Sequence, residues 1–497
     1  MKKYNKHPTL KREPSSKINV PARASLFFTA SNILSKACAL IFTPIFTRLL
    51  SREEYGTYSL FSSYLSVLLV LGSLEISGSV IMRAFQKYRE LKNLTALVAS
   101  GISAISSSLV FLAFLLIKRI RAGAELFPYS DVMLAVIMLS TAIINIFVSK
   151  TKFLYKWGVA LSVSVIQSLL IPILGIGLIN VNLFTDADHV GLKLAAASAV
   201  SAGTALVFIL VTVSASKREL RASSLSGRAL LLKIREIAAS VLRLAVPLLP
   251  YYLSVMVISQ ADRIFISEYF NKEAVAVYSV SYSLGISLNA ICSGLTGALC
   301  PWIMRKVRGG EFSAIQKTLN TLITICSLTV ICFLCAAENL LSIIAPPEYS
   351  AGLPVTFLIS LCPPLLSLSQ IMSSVAIAKE RTFGVLLSGL IPAVLSVFLN
   401  AFALPHIGIY FSAATTSICY LLVAAIGIIN TKRICTAPLV NIPKALTKLL
   451  LLILTGTLIY LLRDAFFPRL AVGLISAGIL LFTLWRSLPL LKEARTK

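Results

Sequence analysis

RLLSREEYGTYSLFSSY at 48–64 and EYFNKEAVAVYSVSYSL at 268–284 read as two copies of one membrane hairpin. Glu53/Glu273, Tyr58/Tyr278, Ser59/Ser279 and Ser63/Ser283 coincide, and Arg52 meets Lys272. The first copy follows an apolar span carrying Lys36, the second a span ending in Asp262-Arg263. Duplicated halves with charge at membrane depth are what a carrier requires, because two bundles can then rock about a shared polar cavity.

Composition places the rest of the chain in lipid. Of 497 residues 57% are hydrophobic and 13% charged, so a soluble fold would have to bury nearly its whole length. Apolar runs of about 20 residues, each able to cross a bilayer core as a helix, recur near 25–48, 57–82, 95–117, 131–149, 158–180, 191–214, 241–266, 274–300, 319–345, 353–378, 383–404, 407–430, 446–463 and 468–485. The expected fold is therefore all-α and polytopic. It has about 14 transmembrane helices in two pseudo-symmetric six-helix lobes plus two C-terminal helices. The expected divisions are a basic tail (1–24), an N-lobe (25–215), a linker (216–240), a C-lobe (241–430) and a C-terminal extension (431–497).

A net charge of +26 would suggest nucleic acid in a soluble protein, so its placement matters. With the amino terminus in the cytoplasm, 35 of the 46 Lys and Arg fall on the cytoplasmic side, whereas the opposite loops hold 11 of the 20 acids. Only Lys118, Arg119 and Arg121 dissent. This is the positive-inside pattern, with both termini cytoplasmic. It excludes a nucleic-acid role and points the basic loops at anionic headgroups.

No polar segment is long enough for a catalytic domain. KRELRASSLSGRALLLKIRE, at 217–236, reads as a midpoint linker with a short amphipathic helix on the membrane surface. The first span is too long for a signal peptide and is expected to be retained. Cys332 and Cys335 form a lone CxxC inside a span, where packing is the expectation. Asp186-Ala187-Asp188 reads as a solvated turn. His7, His189 and His406 are isolated, and no Walker A sequence is present. No cofactor is expected, apart from H⁺ or Na⁺ as a coupling ion.

The specific information lies in polar residues inside the spans. On the first, Ser25, Thr29, Asn32, Lys36, Thr43 and Thr47 form one stripe. A mid-membrane Lys costs roughly 3 kcal/mol on insertion scales, so Lys36 should face a cavity or pair with Glu75. On the seventh, Tyr252, Met256, Ser259, Arg263 and Ser267 share a face; on the eighth, Tyr278, Tyr282, Gly285, Asn289 and Thr296 do. Interhelical hydrogen bonding is the alternative for each single member. Pro44, Pro172, Pro247, Pro250, Pro363, Pro364 and Pro392 lie within spans, where they free carbonyls and permit bends.

At these residues the chain resembles a known family. ILSKACALIFTPIFTRLLSREEYGTYSLF with SVIMRAFQKYRE, and RLAVPLLPYYLSVMVISQADRIFISEYFNKEAVAVYSVSY in the second half, are similar to bacterial polysaccharide-biosynthesis membrane proteins of the O-antigen flippase type. These fall within the multidrug/oligosaccharidyl-lipid/polysaccharide exporter superfamily. The resemblance covers 25–310 and implies movement of an undecaprenyl-pyrophosphate-linked glycan across the bacterial cytoplasmic membrane.

Such a cargo carries a diphosphate, so a low-dielectric route needs fixed cations and donors. Lys36, Arg48, Arg83 and Arg263 are the expected cations; the resemblance carries best to Arg83 and Arg263. Arg48 and Arg83 lie near span ends, where snorkelling to headgroups is an equal explanation. Asn32 and Asn289 are the expected amide donors. Tyr252, Tyr278 and Tyr282 are expected to stack on sugars or to pack between helices. Glu75 and Asp262 are the acids available for ion coupling, or for neutralising a neighbour. Expected partners are the lipid-linked glycan, membrane lipids, a polysaccharide polymerase and chain-length machinery, and a monomer is expected. An ion-coupled multidrug or cation antiporter is the alternative, and a membrane-embedded glycan polymerase or ligase a distant third.

Overall fold

The computed structural model describes residues 37–120, 130–154, 156–180, 189–223, 227–379, 383–463 and 465–496, together with Leu34 and Arg381. Among them the secondary structure is helical throughout, without strands. Thirteen helical segments are long and apolar enough to cross a membrane, and the shorter Ala37–Leu49, our α1, falls within the first expected span. The protein is a multi-pass membrane protein.

The N-lobe comprises α1, α2 (Arg52–Ser73), α3 (Ser79–Lys87), α4 (Lys92–Ile120), α5 (Ser130–Phe153), α6 (Trp157–Val165), α7 (Ile171–Asn180) and α8 (His189–Ser223). A π turn, Ile166–Leu170, joins α6 to α7 just before Pro172. The C-lobe comprises α9 (Gly227–Tyr269), α10 (Lys272–Ile286), α11 (Asn289–Gly309), α12 (Phe312–Ile344), α13 (Leu353–Ser360), α14 (Cys362–Ala378), α15 (Phe383–Phe402), α16 (Leu404–Ile407) and α17 (Ile409–Ile434). The C-terminal pair, α18 (Ile442–Leu461) and α19 (Phe466–Thr496), packs on α12.

The structure differs from the sequence reading in three places. The linker segment at 217–236 is helical where it is described: 217–223 end α8, and 227–236 open α9, which runs unbroken for 43 residues from Gly227. Beyond this segment α9 carries Ile237, Val241 and Ala245 into one core with Val80, Ala84 and Phe85 of α3. Second, both duplicated helices are interrupted: α2 gives way to α3 across 74–78, and α10 to α11 across 287–288. Leu74 and Glu75 take positive φ, 52° and 45°, a region that ordinary side chains occupy only where surrounding structure holds them. Third, Pro363 and Pro364 open α14 rather than bend a continuous span, as suits residues without an N–H to donate.

Candidate functional site

The two sequence copies meet face to face. The helices begin at equivalent caps: Ser51 accepts from Glu54 N, with Glu54 returning a bond to Ser51 N, and Asn271 accepts from Ala274 N. From there α2 packs along α10. Arg52 pairs with Glu273 at 3.0 Å and Lys272 with Glu53 at 3.3 Å. Equivalent positions thus exchange charges across the pseudo-two-fold. Arg52 also reaches Glu348 at 3.1 Å.

These ion pairs are exposed and contribute only about 0–1 kcal/mol each. The closure at this end is mainly apolar: Phe46 of α1, Leu50 just beyond it and Tyr55 of α2 form one buried cluster with Ala276 and Val277 of α10 and Leu341 of α12. Gly56 allows the approach, since a Cβ there would stand 1.8 Å from the Lys272 carbonyl oxygen. Arg48 belongs to this seal and stands apart from the cavity described below. It donates to the Pro44 and Ile343 carbonyls, each at 3.0 Å, satisfying an acceptor near the end of α12 that has no helical partner.

Toward the opposite, basic end a cavity of about 370 Å³ opens between α3, α9, α14 and α15. Arg83 of α3 and Arg243 of α9 line it, with Pro247, Tyr251, Tyr252 and Phe383. Pro247 and Pro250 have no N–H for the carbonyls of Arg243 and Val246, leaving acceptors on this stretch of helix. Glu75 sits above the cavity at the α2/α3 break. A Cβ on Gly78 would lie 3.6 Å from Tyr252 Oη and 3.9 Å from Glu75 Oε1, so tyrosine and carboxylate flank one small residue between the lobes.

Other expected site residues lie elsewhere. Asp262 and Arg263 are 1% and 6% exposed and bond to each other, with Arg263 Nη1 3.2 Å from Asp262 Oδ1. Arg263 also donates to the Ser259 carbonyl at 2.8 Å and lies 4.2 Å above the Tyr282 ring. Tyr278 donates to Asp262 Oδ2 at 2.5 Å. Tyr278 and Tyr282 are therefore in the lobe interior, the former with its hydroxyl committed. Asn289 opens α11 at the second helix break, half-buried. Asn32 and Lys36 lie outside the described residues, as does the turn at Asp186–Asp188. Tyr278→Phe should lower the thermal unfolding midpoint in detergent, because it leaves one buried carboxylate oxygen unpaired at a cost of about 1–3 kcal/mol. An unchanged midpoint would show that Asp262 is satisfied without it.

Two cations were missed by the sequence reading. Arg243 lies two residues inside the seventh expected span, where Arg243, Pro247 and Tyr251 recur at helical spacing on one face. Lys193 of α8 is 6% exposed and stands 3.5 Å from the centre of Phe46 and 3.3 Å from that of Tyr58. Each lobe thus buries a cation against the same repeat tyrosine, Tyr58 or Tyr278, although Arg263 lies farther from its ring, at 5.8 Å. Among the described residues no cluster of three metal-ligating side chains occurs.

The profile of the polysaccharide biosynthesis protein family matches residues 22–307. No curated protein sequence matches the chain. Among solved structures, the fold is similar to the lipid II flippase MurJ in an inward closed conformation, at 13% identity over 93% of this chain and 99% of that one, with a TM-score of 0.64. It is similar to a mutant of the Vibrio cholerae MATE transporter VcmN, at 14% identity over 84% and 98%, TM-score 0.56. An outward-facing multidrug resistance MATE transporter of the MOP superfamily is 16% identical over 85% and 98%, TM-score 0.56.

Proposed function

This chain belongs to the polysaccharide biosynthesis protein family, and from that premise we propose that it flips an undecaprenyl-pyrophosphate-linked oligosaccharide from the cytoplasmic to the outer leaflet of a bacterial cytoplasmic membrane by alternating access. The observation that carries the reading is the pair of arginines, Arg83 and Arg243, on the wall of a cavity between the lobes. Guanidinium groups bind phosphate oxygens through paired, charge-assisted hydrogen bonds. A cavity for cationic drugs would instead favour acidic walls. The charge distribution along the sequence puts the cavity on the cytoplasmic side and the α2/α10 seal on the outer side. Opening would part α2 from α10 and close α3 and α9 around the space the cargo leaves.

Cells lacking the protein should accumulate lipid-linked repeat units with their glycan facing the cytoplasm, while sensitivity to cationic drugs stays unchanged. Normal surface polysaccharide with new drug sensitivity would favour the antiporter instead.

Ion coupling rests better on Glu75 than on Asp262. Asp262 is engaged by Arg263 and Tyr278, whereas Glu75 lies at an interlobe helix break near Tyr252. A carboxylate there could take up a proton or Na⁺ in one state and release it in the other. Glu75→Gln should make flipping equally fast with and without a pH or sodium gradient. A variant that keeps the wild-type response to both gradients would remove Glu75 from coupling.

A further inference from the structure

A second, larger cavity of about 740 Å³ lies away from the lobe interface, between α12, α18 and α19. Lys317 of α12, Lys444 and Lys448 of α18 and Arg486 of α19 line it, and no lining residue is acidic. The remaining wall is largely amide and hydroxyl, including Asn320 and Thr483. We infer that this cavity binds the phosphate-bearing headgroup of a lipid in the leaflet at the basic end.

Four features converge on that ligand. The first is charge: four cations without an acid make a site for more than one negative charge. The second is helix direction. α12 and α18 both begin beside the cavity, and α18 is capped by Asn441, which accepts from Lys444 N at 3.3 Å. Their amino-terminal dipole ends therefore add to the positive potential. The third is preorganisation. Lys448 Nζ donates to the Asn320 backbone carbonyl at 2.6 Å, tying α18 to α12. The fourth is the rim. Phe482 of α19 lines the cavity and, with Trp485 beside it at 6.3 Å between ring centres, is exposed, at 57% and 69%. Acyl chains can lie along this apolar surface while the headgroup turns inward, and an aromatic residue at that level suits the membrane interface. A soluble anion would make no use of the rim.

The cavity shares no residue with the Arg83/Arg243 site. Its occupant is either bulk anionic phospholipid or a polyprenyl diphosphate, which have the phosphate chemistry in common. Native mass spectrometry of the full chain, titrated with phosphatidylglycerol, phosphatidylcholine, undecaprenyl diphosphate or inorganic pyrophosphate, tests it. Wild-type protein should retain phosphatidylglycerol or undecaprenyl diphosphate at least ten-fold more tightly than phosphatidylcholine, and the tighter of the two identifies the source. The Lys317→Gln/Lys444→Gln/Arg486→Gln variant should lose that preference. A charge-matched control, Lys217→Gln/Arg218→Gln/Arg221→Gln at the end of α8, should keep it. Lys448 is left intact because it links two helices; if the triple variant is not obtained folded, Lys444→Gln alone should weaken retention by several-fold. Equal retention by the cavity variant and wild type, equal losses in both triple variants, or pyrophosphate binding as tight as the lipids would each overturn the inference. Since the readout is binding, absence of flipping would refute the proposed function without touching this site.

Discussion

Replacing both cavity arginines, Arg83→Gln with Arg243→Gln, should abolish glycan export while the protein remains folded and inserted. Both side chains are exposed to the cavity space, so their loss opens no void in a packed core. A hydrogen bond to a charged group contributes about 1.5–3 kcal/mol, so two lost arginine–phosphate contacts should weaken cargo binding by at least about 100-fold. Each single variant should fall between the double variant and wild type. Quantification of surface polysaccharide alongside membrane levels of the protein checks this. Wild-type export by a normally expressed double variant would show that the cavity cations serve headgroups or nothing at all.

Gly56→Val should stop transport by a different route, by preventing closure of the α2/α10 seal. The new Cβ would overlap a backbone carbonyl oxygen at 1.8 Å, and backbone cannot turn aside as a side-chain end can. Overpacking of this kind costs about 3 kcal/mol, enough to shift the ratio of closed to open states about 100-fold. A short bifunctional thiol reagent reports the change: with Glu53→Cys and Lys272→Cys placed in a background lacking the native cysteines, it should bridge the seal rapidly, and Gly56→Val should suppress the bridge. Undiminished bridging and transport in Gly56→Val would mean that the helices do not have to approach this closely.

The frame was legible because it rests on patterns that a sequence displays. Apolar runs marked the crossings, and the repeat brought Arg52, Glu53, Lys272 and Glu273 into register before their reciprocal pairing was visible. The helix breaks were not legible. Glu75, Ser77 and Gly78 break the apolar run at 74–78 and Ser287 that at 287–288, but single small and polar residues also occur inside continuous spans, and the positive φ of Leu74 and Glu75 follows no residue preference. Stripes misled where they gave direction without depth: Tyr252 and Arg263 share a face of α9, yet Tyr252 lines the cavity while Arg263 folds back onto Asp262. Lys193 escaped notice because a lysine two residues inside a span reads as a snorkelling anchor, and only the rings of Phe46 and Tyr58 show it buried. Arg243, likewise two residues inside the span expected at 241–266, reads as the same kind of anchor.

The most direct measurement is reconstitution of the purified protein into liposomes with a fluorescent polyprenyl-diphosphate-linked oligosaccharide, followed by an impermeant glycosidase added outside. Protein-free vesicles should protect the inner-leaflet half of the label. Wild-type protein should make that half accessible within minutes, whereas Arg83→Gln/Arg243→Gln should leave it protected. Protection equal in wild-type and protein-free vesicles, with and without an imposed ion gradient, would contradict the account.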